Sequence, residues 1–337
     1  MSQFKERTIN DQKLPLVIEP TNPNLSFDQF LRLLEEKNAY FKEVLLKHGG
    51  ILFRNFPVAN AQAFTETIKT LNTGKLVNYI GGGSPRVKVN ESVYTSTEAP
   101  PAIKIPLHNE MSFIKQYPNH IYFYCDIPPG TGGETFIGDA RKVYRDVSPL
   151  VREALESKKI KYISRYYHKS KFMDFINRIQ RGHKTWIDVF ETESKEEVEK
   201  KCLANEFAFR WNKHNWLEIS RTRPCTQKHP KTEEPVWFNQ IHCFDYNPKF
   251  IGWWRYLALK TFYVRKEYKN DDVTYGDGST IPRKDIYHIM DVLDNNAIYF
   301  PWQKGDVMVL DNILTMHGRA PFTGKRRILA AMTKEGA

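Results

Sequence analysis

The stretch PLHNEMSF contains two side chains that commonly bind metal ions, His108 and Glu110, separated by a single residue. On a β-strand, residues i and i+2 point to the same face, so both side chains could reach one ion. The alternative is a hydrogen-bonded polar pair on a half-exposed strand, and the pair alone does not decide between them. A third candidate ligand elsewhere in the chain would favour the metal site.

The C-terminal stretch PWQKGDVMVLDNILTMHGRAPFTGKRRILAAMT supplies that candidate in His317, which follows an apolar strand ending in Asp311-Asn312. Two histidines and one carboxylate on one side of a metal leave coordination positions open, an arrangement suited to Fe(II) and dioxygen chemistry. Ten residues after His317, Arg327 is expected inside a second apolar strand. A buried arginine needs a carboxylate or phosphate partner, so this segment also predicts an anion site.

The composition restricts the kinds of protein that this chain can be. It has 337 residues, 41% hydrophobic and 26% charged, as in a soluble globular protein. No apolar run approaches the roughly 20 residues that span a bilayer. The start, MSQFKERTINDQKLP, has no signal-peptide core, so we expect a cytoplasmic protein. Four cysteines without CxxC spacing argue against a zinc cluster or a disulfide framework.

The formal net charge of +11 would attract anionic substrates, nucleic acid or an acidic protein, and does not choose among them. A glycine-rich stretch, YIGGGSPRVKV, lacks the Gly-Lys-Ser/Thr ending of a phosphate loop. Nucleotide binding there is therefore disfavoured.

The elements that must position these residues follow from the sequence pattern. One helix is predicted over residues 26–48, with a capping pair of Ser26 and Gln29, and a second follows Asn60. Beyond residue 105, many short strands alternate with Gly, Pro and Asp turns, which favours a β-sandwich or barrel. The predicted strands include IYFYCDI, KIKYISRYY, PVWFNQIHCF, NAIYFPW, DVMVLDN and RRILAAMT.

These blocks together resemble the taurine dioxygenase family of Fe(II)/2-oxoglutarate oxygenases, and within it the clavaminate-synthase-like and SyrP-like branch. The segments that carry the resemblance are GILFRNFPV, GGGSPR, YTSTEAPP, IPLHNEMSF, GGETFIGDAR, HPKTEEPVWFNQ and DNILTMHGRAPFTGKRRILA. The resemblance implies a mainly β fold with flanking helices and a double-stranded β-helix core of the jelly-roll, cupin-like type. We expect one oxygenase domain over residues 1–337. Within this domain, we expect residues from 1 to about 104 to form N-terminal helices and strands that pack on the core. An insertion over residues of about 160–290 is expected to form the substrate lid or pocket.

The resemblance also implies roles for individual residues. His108, Glu110 and His317 would bind the iron, and Thr135 and Arg327 would bind the distal carboxylate of the co-substrate 2-oxoglutarate. Glu110 would occupy the third protein position at the metal, which disfavours the halogenation known in relatives with a small residue there. Four further residues are weaker candidates for substrate binding: Arg86, Arg165, Trp237 and Asn239.

Three functions remain open at this point. The resemblance favours an oxygenase that hydroxylates an amino acid or related small carboxylate, either free or attached to an acidic carrier protein. An oxygenase acting on nucleic acid or protein is the alternative; the sequence has no RNA-recognition or helix-turn-helix pattern to support nucleic acid. A non-catalytic binding member of the fold is disfavoured because all the candidate ligands are retained together. No membrane partner is expected.

Overall fold

The computed structural model describes residues 3–77, 88–90, 92–96, 99–168, 184–262 and 269–336. The strands in these ranges are β1 (Phe4–Thr8), β2 (Leu16–Pro20), β3 (Gly50–Phe53), β4 (Lys75–Leu76), β5 (Tyr94–Thr95), β6 (Ile105–His108), β7 (His120–Ile127), β8 (Thr131–Gly132), β9 (Ile137–Asp139), β10 (Ile160–Tyr166), β11 (Ala208–Trp211), β12 (Leu217–Arg223), β13 (Thr226–Lys228), β14 (Pro235–Trp237), β15 (Asp271–Tyr275), β16 (Val307–Asp311), β17 (Thr315–Arg319), β18 (Phe322–Thr323) and β19 (Arg327–Lys334). The helices are α1 (Phe27–Glu36), α2 (Asn38–His48), α3 (Ala61–Leu71), α4 (Ala140–Asp146), α5 (Pro149–Lys158), α6 (Trp186–Phe190), α7 (Lys195–Ala204), α8 (Ile241–Phe244), α9 (Pro248–Ile251), α10 (Trp253–Phe262) and α11 (Arg283–Asn295).

Two sheets enclose the core. The larger sheet runs in the order β1-β2-β3-β16-β7-β19-β4, with β5 also paired to β19, and the smaller one runs β6-β17-β9. Leu107 and Met316 of the smaller sheet join Phe123 and Ala330 of the larger one in a single hydrophobic cluster. Two facing sheets with flanking helices are consistent with a jelly-roll core, so the predicted fold class is confirmed.

Strand β7 shows why the larger sheet is buried on both faces. Its side chains alternate, so Ile121 and Phe123 enter the core between the sheets, while Tyr122 and Tyr124 enter a second cluster beneath the N-terminal helices. The Tyr124 hydroxyl donates to the carbonyl of Val58 at 3.1 Å, which satisfies its buried polar atom. Because both faces of β7 are buried, its pairing register with the neighbouring strands is fixed.

The N-terminal helices begin as predicted but divide differently. Ser26 and Gln29 form the capping box of α1. The single helix predicted over residues 26–48 is two helices, because the chain leaves the helical path at Lys37. The side chain of Asn38 then donates to the carbonyl of Leu71 at 2.7 Å, which ties the start of α2 to the end of α3.

The region after residue 160 builds a separate sheet with the order β11-β12-β10-β15. Two strand predictions nearby are wrong. NAIYFPW forms only a single bridge, from Ile298 to Ile137. PVWFNQIHCF is a strand only over Pro235–Trp237 and then becomes α8, because the Asn239 side chain accepts the Ile241 N–H and turns the chain.

No helix within the described ranges has the length and the apolar character needed to cross a membrane.

Candidate metal centre

Strand pairing places His108 directly opposite His317. The two residues are Cα partners in the antiparallel β6–β17 ladder, and their ring centroids are 4.4 Å apart. Glu110 completes the group, with its Oε2 3.6 Å from Nε2 of His317. One ligand atom from each of the three side chains lies within 4.8 Å of the other two. The three residues that the sequence predicted to form a metal site therefore come together.

Glu110 reaches this position from a turn, not from a strand as predicted. Strand β6 ends at His108, and Asn312 holds the turn that follows. The Asn312 side chain accepts the Glu110 N–H at 2.7 Å and donates to the carbonyls of Glu110 and Pro118 at 2.9 and 2.8 Å. In return, Asn109 donates to the backbone carbonyl of Asn312 at 2.7 Å. These bonds fix the backbone from which the Glu110 carboxylate projects.

A second amide, from the predicted motif VWFNQ, supports the same turn. The Gln240 side chain donates to the carbonyl of Asn109 at 2.6 Å. Its backbone N–H is in turn bonded to the Tyr162 hydroxyl at 3.1 Å. The turn at Glu110 is thus linked to the sheet that contains β10.

The protonation of His108 suits metal binding. Burial, reinforced by the neighbouring His317, lowers the pKa of His108 to about 3, so its ring is neutral at physiological pH. Nδ1 of His108 lies 2.9 Å from the carbonyl of Pro106, which can only accept. Nδ1 therefore carries the proton, and Nε2 keeps the lone pair that a metal needs.

These donors fit one kind of metal ion. Two imidazoles and one carboxylate on adjoining backbone segments are the ligand set of mononuclear non-haem iron, and thiolates are absent from the described group. His108, Glu110 and His317 could therefore hold Fe(II) and leave the remaining positions for other ligands.

A small cavity beside the two histidines contains a charged side chain, that of Arg326. It is lined in part by Ser96, Thr135 and Arg326. Arg326 donates to the carbonyl of Gly133 at 2.8 Å, to Oγ of Ser96 at 3.1 Å and to Oγ1 of Thr135 at 3.3 Å. Burial lowers the pKa of Arg326 to about 10, so it remains charged at neutral pH.

Thr135 has the orientation of a donor to whatever enters the cavity. Its Oγ1 accepts from Arg326 and also from the Trp302 indole N–H, at 3.2 Å. Because both acceptor positions are occupied, the hydroxyl proton is left for a third partner. The predicted residue Thr135 thus lies beside the candidate metal site.

The structure corrects the prediction for Arg327. Its side chain is 48% exposed and pairs with Asp126 at 2.8 Å, and it does not line the cavity. The reason is strand alternation: Arg326 has the same parity as Ile328 and Ala330, which point into the core between the sheets. The neighbouring Arg327 points the other way.

The three weaker substrate candidates among the described residues, Arg165, Trp237 and Asn239, do not line this cavity either. Arg165 is bound to Glu218 at 2.7 Å and to the carbonyl of Lys269 at 3.1 Å. Trp237 is fully buried in the hydrophobic core. Asn239 donates to the carbonyl of Cys225 at 2.8 Å, which is a structural role. Arg86 lies outside the described residues.

Sequence reasoning missed three residues of the site. Arg326 could have been found by carrying the alternation of β19 back from Ala330. Asn312 is the last residue of the predicted strand DVMVLDN, and that position alone indicates no role at the site. Trp302 carries no local signal, because its contact with Thr135 joins residues far apart in the chain.

The chain as a whole matches one known family. The model of the family described as "Taurine catabolism dioxygenase TauD, TfdA family" matches residues 10–333. The chain belongs to the TauD/TfdA family. The resemblance drawn from the sequence motifs is therefore confirmed.

Two curated relatives and one solved structure extend this finding. A clavaminate synthase-like protein of Arabidopsis thaliana is 29% identical over 98% of this chain and 96% of its own length. The dapdiamide synthesis protein DdaC of Enterobacter agglomerans is 32% identical over 86% of this chain and 83% of its own. PvcB of Pseudomonas aeruginosa shares the fold, with a TM-score of 0.56 at 15% identity over 99% of this chain and 92% of that one. PvcB is described as an Fe, alpha-ketoglutarate dependent oxygenase from an isonitrile synthetic pathway.

Membership of the TauD/TfdA family settles the class of reaction. The protein is a 2-oxoglutarate-dependent dioxygenase that uses Fe(II), with 2-oxoglutarate and O2 as co-substrates. The converging histidines and carboxylate described above fit this requirement.

A glycine beside His317 gives a first test of the geometry. A Cβ on Gly318 would lie 2.4 Å from the Phe136 ring and 2.6 Å from the backbone oxygen of Ile105, so β6 would have to move. We expect Gly318→Ala to weaken Fe(II) binding by about tenfold or more, measured by competition with a chromophoric chelator. Gly336→Ala, where a Cβ meets nothing within 4 Å, is the control. Equal affinity in both variants would contradict this geometry.

The two adjacent arginines give a second test. Arg326→Ala should raise the KM for 2-oxoglutarate by about 30-fold or more, because a buried cation that meets a carboxylate is lost. Arg327→Ala should change it by less than about threefold, since an exposed ion pair contributes little. Both KM values are measured by succinate formation. A larger increase in Arg327→Ala than in Arg326→Ala would show that Arg327 binds the carboxylate instead.

Proposed function

We propose that this protein hydroxylates an unactivated C–H bond of an amino acid or related small carboxylate, free or attached to a carrier protein. In this reaction, substrate C–H, 2-oxoglutarate and O2 give substrate C–OH, succinate and CO2. The observation that carries the proposal is the convergence of His108, Glu110 and His317 beside a cavity that contains Arg326 and Thr135.

Each residue has a separate task in this proposal. His108, Glu110 and His317 hold Fe(II) on one side and leave its other positions to ligands. Arg326 binds the distal carboxylate of 2-oxoglutarate with its planar fork, and the free hydroxyl proton of Thr135 donates to the same carboxylate. When bound, iron and 2-oxoglutarate together supply the oxidative decarboxylation that activates O2.

The Glu110 carboxylate supports hydroxylation over halogenation. Because it would occupy the third protein position at a bound iron, it would leave no place there for a halide ion. The bonds from Asn312 to the backbone of Glu110 hold this residue in place and so keep that position filled.

The substrate class draws support from the named relatives. DdaC is described as a dapdiamide synthesis protein, and another relative as clavaminate synthase-like. An acidic carrier domain would suit the net charge of +11. Against a nucleic acid or protein substrate, the candidate ligands Glu110 and His317 are buried, which favours a small molecule. A cytoplasmic location remains a prediction.

The direct test is anaerobic addition of Fe(II) and 2-oxoglutarate to the apoprotein, followed by exposure to O2. We expect a weak visible charge-transfer band and then succinate, in the wild type and in His214→Ala, which removes an exposed histidine. His108→Ala should show neither, because one of three metal ligands is lost. A wild type that binds Fe(II) but gives no band and no succinate would contradict the proposal.

A further inference from the structure

One buried arginine plays no part in the site described so far. Arg221 lies on β12 and is 5% exposed, and burial lowers the pKa of its guanidinium. Three aromatic rings surround it, those of Phe113, Phe207 and Phe244, with centroids 4.6, 5.4 and 5.7 Å from Cζ. Such rings attract a cation, but they do not replace the oxygen acceptors that its N–H groups need.

The hydrogen bonds of Arg221 are incomplete. An arginine has five N–H donors. Nε of Arg221 donates to the carbonyl of Phe113 at 3.1 Å, and the four donors on the two terminal nitrogens have no acceptor among the described residues. The nearby carboxylate of Asp271 accepts from Ser164 at 2.9 Å and forms no ion pair with Arg221 in the described ranges.

The other two arginines buried to this degree in the described ranges have acceptors at their terminal nitrogens. Arg54 makes a two-pronged salt bridge with Asp306, at 3.0 and 2.6 Å. Arg319 donates to three loop carbonyls at 2.8 to 2.9 Å. A buried cation without such acceptors is costly, and Arg221 is the one of these three arginines whose terminal nitrogens have none in the described ranges.

Arg221 is close to the metal centre along the chain that it contacts. Its acceptor Phe113 is three residues after Glu110. The Cα atoms of Phe113 and Glu110 are therefore at most about 11 Å apart. Two turns shorten that path, since Ser112 N–H bonds to Asn109 and Ile114 N–H to Met111. The Arg221 guanidinium is therefore joined to the turn that carries Glu110 through the carbonyl of Phe113.

We propose that Arg221 binds the carboxylate of the substrate, and that the substrate therefore enters as a free acid and not as a carrier thioester. This deepens the proposed function and rests on it. The terminal N–H groups of Arg221 would donate two parallel hydrogen bonds to a carboxylate, and the surrounding rings would keep water away from the pair. The co-substrate does not compete, because Arg326 and Thr135 already provide a separate carboxylate site.

The first arm of the test uses the unaltered protein loaded with Fe(II) and 2-oxoglutarate. The probes are the twenty common L-amino acids and the straight-chain carboxylates from acetate to hexanoate, each paired with its carboxamide. We expect at least one free acid to perturb the charge-transfer band anaerobically and to stimulate succinate formation in air. The matching carboxamide should need a concentration about 30-fold higher for the same effect.

The second arm uses variants. Arg221→Gln should raise the half-saturating concentration of that acid by about 30-fold or more and leave its weak response to the amide unchanged. Arg221→Lys, which keeps the charge but lacks the fork, should have an intermediate effect. Arg210→Gln, which removes a 75% exposed arginine on the adjacent strand β11, should behave as wild type. In all three variants the band with Fe(II) and 2-oxoglutarate alone should persist, which shows that folding and the cofactor site are intact.

Several results would overturn the proposal while leaving the oxygenase assignment in place. One is an intact band with no response to any acid, and another is an equal response to acids and amides. A third is an Arg221→Gln variant that keeps the acid response. Absence of the band in the wild type would overturn the proposed function and this inference together. If Arg221→Gln does not fold, the comparison of acids with amides in the wild type still decides.

Discussion

The antiparallel pairing of β6 with β17 is the constraint on which the site depends. It places His108 opposite His317, and the hydrogen bonds of Asn312 hold the turn that brings Glu110 beside them. The two devices are independent, since one is a strand ladder and the other a buried side-chain amide. Together they preorganise three ligands that come from segments about 200 residues apart, at His108 and His317.

The buried arginines of the protein differ in how many of their hydrogen bonds other protein groups accept. Arg54 pairs with Asp306 within the protein and serves the fold, whereas Arg319 donates to loop carbonyls and also lines the cavity. Arg326 is held by Thr135, Ser96 and Gly133 yet faces a cavity, so it is positioned in advance for an anion. Arg221 has the fewest partners of the four. The cost of burying a cation thus separates structural arginines from those that await a ligand.

The sequence predicted the family and the three candidate metal ligands that the structure brings together, with Thr135 beside them, because residue type and order carry that information. The family motif pointed to Arg327, whereas the alternation along β19 places the neighbouring Arg326 on the same face as Ile328 and Ala330. The sequence pattern placed Glu110 on a strand, because the bonds from Asn312 join residues 202 apart. Long-range contacts of this kind leave no local pattern.

A crystal structure of the protein grown anaerobically with Fe(II) and 2-oxoglutarate, with anomalous data at the iron edge, would locate the metal and the co-substrate directly. We expect one iron peak bound by His108, Glu110 and His317, and the distal carboxylate of 2-oxoglutarate against Arg326 and Thr135. An iron peak that lacks Glu110 as a ligand, or a carboxylate bound away from Arg326, would contradict this arrangement.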